Sequence, residues 1–136
     1  MARTSTIEFL LTQTPTGWDD DTCIDGVVVE GYCIDFNEIA RSLASPGVYE
    51  IFTCGCGVAG CAGIFEGVRV RHEASHIAWS MTQPYQAEYT FCRSEMVKSL
   101  REFLLKAVEL KATIGPTLYQ MIGAPHTLGL LDGLAP

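Results

Sequence analysis

Alternating apolar and polar residues predict several short strands in the first two thirds of the chain. Residues 6–12 alternate in this way, and the proline, glycine and three aspartates of residues 15–21 are typical of a loop that ends the strand. Residues 27–36 are β-branched and aromatic but contain a Glu-Gly pair, which indicates either one bent strand or two short ones. Strand character returns at residues 48–53.

The middle of the chain continues this pattern. Residues 66–71 and 77–81 alternate on either side of a short gap, which predicts a hairpin that turns at residues 73–75. Residues 85–92 form another alternating segment. Together these segments predict a mostly antiparallel sheet of about five strands.

Helical spacing occurs in two places. Residues 35–43 predict a short helix with Ile39, Ala40 and Leu43 facing inward. We expect Ser94 to cap a second helix, because apolar residues recur every three or four positions after it. We expect this helix to end at the Gly-Pro pair at 115–116.

These elements predict an α+β fold in which one long C-terminal helix packs on the antiparallel sheet. A chain of 136 residues with 48% hydrophobic residues is long enough for one domain with a substantial core. We therefore expect a single α+β domain over residues 1–123. We expect residues 124–136 to be an apolar C-terminal tail that packs on the body of the protein or on a second copy, which leaves a homo-oligomer open.

The negative charge of the chain is concentrated near its N-terminus. The formal net charge is -7, and residues 1–50 carry -7, residues 51–92 carry -1 and residues 93–136 carry +1. Such a field repels nucleic-acid phosphates, so a basic protein or a small ligand is the favoured partner and nucleic acid is not expected. No apolar run is long enough for a membrane span, and Glu8 interrupts the apolar segment near the N-terminus, so we expect a cytoplasmic protein that does not bind membranes.

The segment that says most about chemistry is a loop rich in cysteine and glycine. Cys54, Cys56 and Cys61 lie close together among four glycines, directly after a predicted strand. Glycines let the backbone curl so that three sulfurs can converge, and zinc takes four tetrahedral Cys or His ligands. We expect a structural zinc site whose ligands are Cys54, Cys56, Cys61 and His72.

Other interpretations of this loop stay open. His76 or Cys92 could supply the fourth ligand instead of His72, because the predicted hairpin and the strand after it bring both nearby. The loop cysteines could also be reduced thiols in a tight turn, a reactive thiol or disulfide, or ligands of an iron–sulfur cluster together with Cys92. Cys23 and Cys33 are interpreted as core thiols.

The same region resembles a group of known sequences. Phe-Thr-Cys-Gly-Cys-Gly at 52–57 continues to Gly-Cys-Ala-Gly-Ile at 60–64, and Gly-Val-x-Val at 67–70 and Ile-x-Trp at 77–79 follow. This order resembles small uncharacterised bacterial proteins that have a Cys-Gly-Cys-Gly-x-x-Gly-Cys-Ala-Gly segment followed by a Trp-containing hairpin. The resemblance covers residues 48–100 and implies a bacterial or phage origin, without a mechanism.

His72, Glu73 and His76 also fit the His-Glu-x-x-His pattern of zinc hydrolases. In that pattern a helix places both imidazoles on one face and the glutamate acts as general base, and Glu95 is a downstream candidate for a third ligand. The glycine and valines before the motif and the alternating residues after it favour a hairpin over that helix.

Two main functional hypotheses follow. The one we favour is a non-enzymatic protein-binding module, such as an inhibitor or an immunity-type protein, that binds its partner through the acidic N-terminal region or the apolar tail. The alternative is an enzyme, either a zinc-dependent hydrolase that uses the His72-Glu73-x-x-His76 motif or a thiol chemistry of the loop cysteines. A self-assembling structural protein is a third class.

Overall fold

The computed structural model describes residues 3–53 and 66–134, which form antiparallel strands and helices. The strands are β1 (Ile7–Thr14), β2 (Gly17–Ile24), β3 (Val27–Val28), β4 (Cys33–Ile34), β5 (Gly47–Tyr49), β6 (Phe52–Thr53), β7 (Val68–Glu73), β8 (His76–Met81) and β9 (Ala87–Cys92). The helices are α1 (Phe36–Ala44), α2 (Arg93–Glu109), α3 (Lys111–Ile114), α4 (Pro116–Ile122) and α5 (Ala124–Asp132).

The described strands form three small sheets, whereas the sequence predicts one sheet of about five strands. One sheet has the order β1-β2-β3, a second pairs β4 with β6, and the third has the order β5-β7-β8-β9. The chain bends at Gly26 and Gly31, whose φ angles of 80° and 84° are rare for other residues, and this leaves strands of only two residues at β3 and β4. The α+β class and the antiparallel pairing are confirmed.

The acidic residues 19–21 lie within β2, so the loop predicted for them is wrong. Only Pro15 and Thr16 separate β1 from β2, and the two strands pair along their whole length. Aspartate is uncommon in strands, but the Thr12 hydroxyl on β1 donates a 2.8 Å hydrogen bond to Asp21 Oδ2 on β2. The pairing of the hairpin thus outweighs the low strand propensity of aspartate.

Helix α1 forms as the sequence predicts and joins the hairpin to α2. The Asp35 carboxylate accepts a 3.1 Å hydrogen bond from the Glu38 amide and caps the helix. The ring centroid of Phe36 lies 5.7 Å from that of Phe9 on β1 and 4.8 Å from that of Phe103 on α2. These contacts place the centre of the core between the β1–β2 hairpin, α1 and α2.

The C-terminal part of the chain is divided into several helices, where the sequence predicts one long helix. α2 has the predicted buried stripe, but Cys92 stands at the N-cap position that the sequence assigns to Ser94. α2 ends at Glu109 with Leu110 as its C-cap, and Gly115 and Gly123, with φ angles of 92° and 64°, separate the shorter helices that follow. The positive φ angles at these glycines account for the breaks between α3, α4 and α5.

Residues 124–132, in the predicted tail, form α5, which packs against α1 and α2. Ala124, Thr127 and Leu131 are buried there, and Arg101 Nη1 on α2 lies 2.6 Å from Asp132 Oδ1. The apolar side of α5 is therefore covered by the chain itself. Of the helices described, none combines the length and the apolar character that crossing a bilayer requires.

Candidate functional site

Three of the four predicted zinc ligands, Cys54, Cys56 and Cys61, lie outside the described residues. The fourth, His72, is half-buried on β7, on the same face as Val68 and Val70, as the sequence predicts. Its Nε2 atom lies 2.7 Å from the carbonyl oxygen of Ser42 on α1. Because that carbonyl accepts a hydrogen bond from Nε2–H, Nδ1 is the ring atom left for another ligand.

Glu66, the first described residue after the cysteine loop, lies just before the start of β7. The Glu66 amide, just after the loop, donates a 3.0 Å hydrogen bond to Gln83 Oε1. His72 lies six residues further on, which corresponds to roughly 20 Å of extended chain. His76 and Cys92, which are paired across β8 and β9, lie at the same end of the sheet as His72. The three candidates for the fourth ligand therefore stand at the far end of β7 from Glu66, the residue that follows the loop.

A different thiol lies beside the loop. Cys33 on β4 is paired with Thr53 on β6, the residue that precedes Cys54, and the Thr53 hydroxyl contacts the Cys33 carbonyl oxygen at 3.4 Å. Within residues 3–53 and 66–134, no three His, Cys, Asp or Glu side chains are grouped so that they could hold a metal ion. The sequence predicts a core thiol at Cys33 and carries no local signal for its position next to the loop.

The His-Glu-x-x-His motif lies in a hairpin and has no helical face. Ala74 and Ser75 form the turn, His72 is paired with Ile77, and Glu73 is paired with His76. Paired residues of antiparallel strands point to the same side of the sheet and neighbours along a strand point to opposite sides. The two imidazoles therefore point to opposite faces of the sheet.

An acidic cleft of about 290 Å³ lies between β2 and residues 28–34. Its lining contains four carboxylates, a phenol and a thiol: Asp19, Asp20, Asp21, Glu30, Tyr32 and Cys33. We call this the acidic cleft. The cleft forms because the chain turns away from β2 once the short strand β3 has ended. Residues 28–34 therefore face the acidic part of β2 without pairing with it.

Asp20 is a carboxyl group of this cleft with a perturbed pKa. It lies on the same side of β2 as the buried residues Thr22 and Ile24, so its side chain is half-buried. Burial raises the pKa of Asp20 to about 6, a hydrogen bond from the backbone lowers it, and the charges of Asp19 and Asp21 raise it. Burial also raises the pKa of the Cys33 thiol, and the charges of Asp20 and Asp19 add to that effect.

None of the ion pairs between described residues involves a carboxylate of the acidic cleft. The acidic partners in those pairs are Asp25, Glu38, Glu73 and Asp132. The acidic cleft thus holds several negative charges whose repulsion and desolvation are not offset by an arginine or lysine within the described part of the chain. A cationic group from outside would offset both costs through its attraction to the carboxylates.

The sequence predicts an acidic N-terminal region but does not predict the acidic cleft. In a strand every second side chain points to the same face, so Asp20 points inward together with Thr22 and Ile24. This position can be predicted only if residues 19–21 are recognised as part of a strand. Because aspartates favour loops over strands, the local sequence predicts a loop here and hides the inward position of Asp20.

Comparison with protein-family models, curated proteins and solved structures yields no match for this chain.

Proposed function

We propose that the protein is a non-enzymatic binding module that holds a basic protein partner at the acidic cleft. The observation that carries the proposal is the half-buried Asp20, whose pKa is raised to about 6 beside two further aspartates. A lysine or arginine of a partner that enters the cleft gains favourable contacts with carboxylates that are already partly desolvated. The apolar side of α5 is covered, which favours the acidic region over the tail as the binding surface.

An inhibitor or an immunity-type role is consistent with this chemistry. A basic surface on another protein often serves to bind anions, and an acidic module that occupies such a surface blocks its use. Charge complementarity mainly accelerates association and selects the partner, so the contribution of the cleft should depend strongly on salt concentration.

The proposal can be tested with a short synthetic peptide of alternating lysine and threonine, measured by isothermal titration calorimetry. The double variant Asp19→Asn/Asp20→Asn removes two charges from the cleft, and Glu102→Gln/Glu109→Gln removes two charges from exposed positions of α2. We expect the cleft variant to weaken binding by about tenfold or more and the α2 variant by less than about threefold. Equal weakening by both variants, or no binding to the wild-type chain, would contradict the proposal.

We also propose that Cys54, Cys56 and Cys61 hold a structural zinc ion, on the strength of their spacing among glycines. His72, His76, Cys92 and Cys33 are the residues to compare as fourth ligand. Metal analysis of protein purified under reducing conditions should find zinc in the wild-type chain and much less in Cys54→Ser and Cys61→Ser. Parallel analysis of His72→Ala, His76→Ala, Cys92→Ser and Cys33→Ser identifies the fourth ligand, and wild-type protein without metal would contradict the proposal.

A further inference from the structure

The edge of β2 that faces away from β1 has no strand partner from Gly17 to Asp21 within the described part of the chain. β1 pairs with β2 from Gly17 to Ile24, whereas β3 pairs only with Cys23 and Ile24. The segment from Gly17 to Asp21 therefore has a strand neighbour on one side only within the described part of the chain. This open edge faces the acidic cleft.

The hydrogen bonds of the hairpin establish which peptide groups point toward that edge. Asp25 donates its amide to the Thr6 carbonyl at 2.9 Å, on the β1 side, and the Thr22 carbonyl accepts a 2.8 Å hydrogen bond from Val29, on the β3 side. Because peptide groups of a strand alternate in direction, the carbonyls of Asp20 and Trp18 point the same way as that of Thr22. Both carbonyls are thus directed away from β1, toward the open edge.

The side chains around this edge define the chemistry of a segment that could pair with it. Asp19 and Asp21 flank Asp20 along the strand. Asp19 Oδ1 accepts a 2.9 Å hydrogen bond from the Asp20 amide, which leaves the carbonyl as the available backbone group of Asp20. Glu30 lies across the cleft. An extended segment that donates backbone N–H groups and carries lysine or arginine side chains matches both the acceptors and the charge.

We propose that the basic partner binds as an extended strand that adds to the open edge of β2. Its backbone N–H groups donate to the carbonyls of Asp20 and Trp18, and its lysine or arginine side chains lie beside the carboxylates of Asp19, Asp20, Asp21 and Glu30. This assignment rests on the function proposed above, because it specifies how the acidic cleft recognises the same partner.

Two N-methylated forms of the lysine–threonine peptide test the assignment. One form carries a methyl group on every lysine amide and the other on every threonine amide, so the charge is unchanged while alternate N–H groups are removed. An added strand presents only alternate N–H groups to β2. We therefore expect one form to bind at least about tenfold more weakly than the parent peptide, and the other within about threefold of it.

The outcomes separate this inference from the function on which it depends. If both forms bind as tightly as the parent peptide, or are weakened equally, strand addition is excluded while recognition of charge in the cleft stands. If the parent peptide does not bind, both proposals fall. Sedimentation of the free chain as a dimer that the peptide dissociates would show that a second copy occupies the edge, and would also overturn the assignment to a partner.

Discussion

The imidazole of His72 joins β7 to α1, because its Nε2 atom lies 2.7 Å from the carbonyl oxygen of Ser42. Ser42 is completely buried, so its carbonyl has little access to water if the imidazole is removed. The hydroxyl of Ser42 is itself bonded to the Ile39 carbonyl at 2.6 Å. This connection gives His72 a structural role that does not depend on any metal.

The first prediction concerns this contact. His72→Ala should lower the free energy of unfolding by about 1 to 3 kcal/mol, because a buried carbonyl loses its hydrogen-bond donor. Urea denaturation measures the change, and His76→Ala on the other strand of the hairpin is the matched control. Within the described part of the chain, the only side-chain hydrogen bond of His76 is the 3.3 Å contact with the hydroxyl of the adjacent Ser75. An equally small effect of both substitutions would contradict the structural role of His72.

The second prediction concerns the pH dependence of stability. The pKa of Asp20 is about 6 in the folded protein, against 3.8 for an unperturbed aspartate, so the folded state binds this proton more tightly than the unfolded chain does. The stabilisation from the protonated group is complete below about pH 4 and is lost as the pH rises through about 6. Asp20→Asn should therefore be more stable than wild type at pH 7.5, by about 1 to 2 kcal/mol after allowance for partial solvent screening.

Urea denaturation of wild type and Asp20→Asn between pH 4 and 8 checks this prediction. The difference in stability between the two proteins should grow across the interval between the two pKa values and stay constant above it. Glu102→Gln, an exposed change on α2, serves as control for the loss of one negative charge. A difference that does not change with pH would show that Asp20 is not desolvated.

The third prediction concerns the thiols. Hydrogen bonds from the Ser94 hydroxyl and the Glu95 amide lower the pKa of Cys92, which stands at the N-cap of α2. Burial raises the pKa of Cys23 and of Cys33. Since the thiolate is the reactive form, iodoacetamide at neutral pH should label Cys92 faster than Cys23 or Cys33, as measured by peptide mass spectrometry.

A serine-to-alanine change at position 94 provides the control for this experiment. Ser94→Ala removes the largest cause of the lowered pKa and should slow the labelling of Cys92, while the rates of the other two thiols stay the same. Faster labelling of Cys33 than of Cys92 in the wild-type chain would contradict the prediction.

The fourth prediction concerns the C-terminal helix. Leu131→Ala should destabilise the protein by about 2 to 4 kcal/mol, because the side chain is 2% exposed and its removal leaves a cavity between α5 and the body. Asp132→Asn, which removes only the exposed ion pair with Arg101, should cost less than about 1 kcal/mol. If Leu131→Ala leaves the thermal unfolding temperature unchanged, α5 is not part of the core.

Much of the fold could be predicted from local patterns. Alternation located the β7–β8 hairpin, and the spacing of Ile39, Ala40 and Leu43 located α1, because both signals depend on residues close in sequence. The division into three sheets could not be predicted in this way. It depends on backbone bends at Gly26 and Gly31 and on which strands meet in space.

The candidate site was harder to predict, for two physical reasons. Aspartate has a low strand propensity, so residues 19–21 argued for a loop, and only the cross-strand register with β1 places Asp20 on the inward face. Cys33 lies far from the cysteine loop along the sequence. The pairing of β4 with β6 nevertheless brings it beside Thr53, the residue that precedes the loop. Both features are set by contacts between distant segments.

The most direct test of a cleft that binds a basic partner is the pKa of Asp20 with and without the lysine–threonine peptide. An NMR titration of the carbon-13-labelled Asp20 carboxyl group gives this value in each state. A lysine beside the carboxylate favours its charged form, so the pKa should fall from about 6 toward 3.8 when the peptide is saturating. A pKa that stays at about 6 in the presence of bound peptide would show that the peptide binds elsewhere, and would contradict the account.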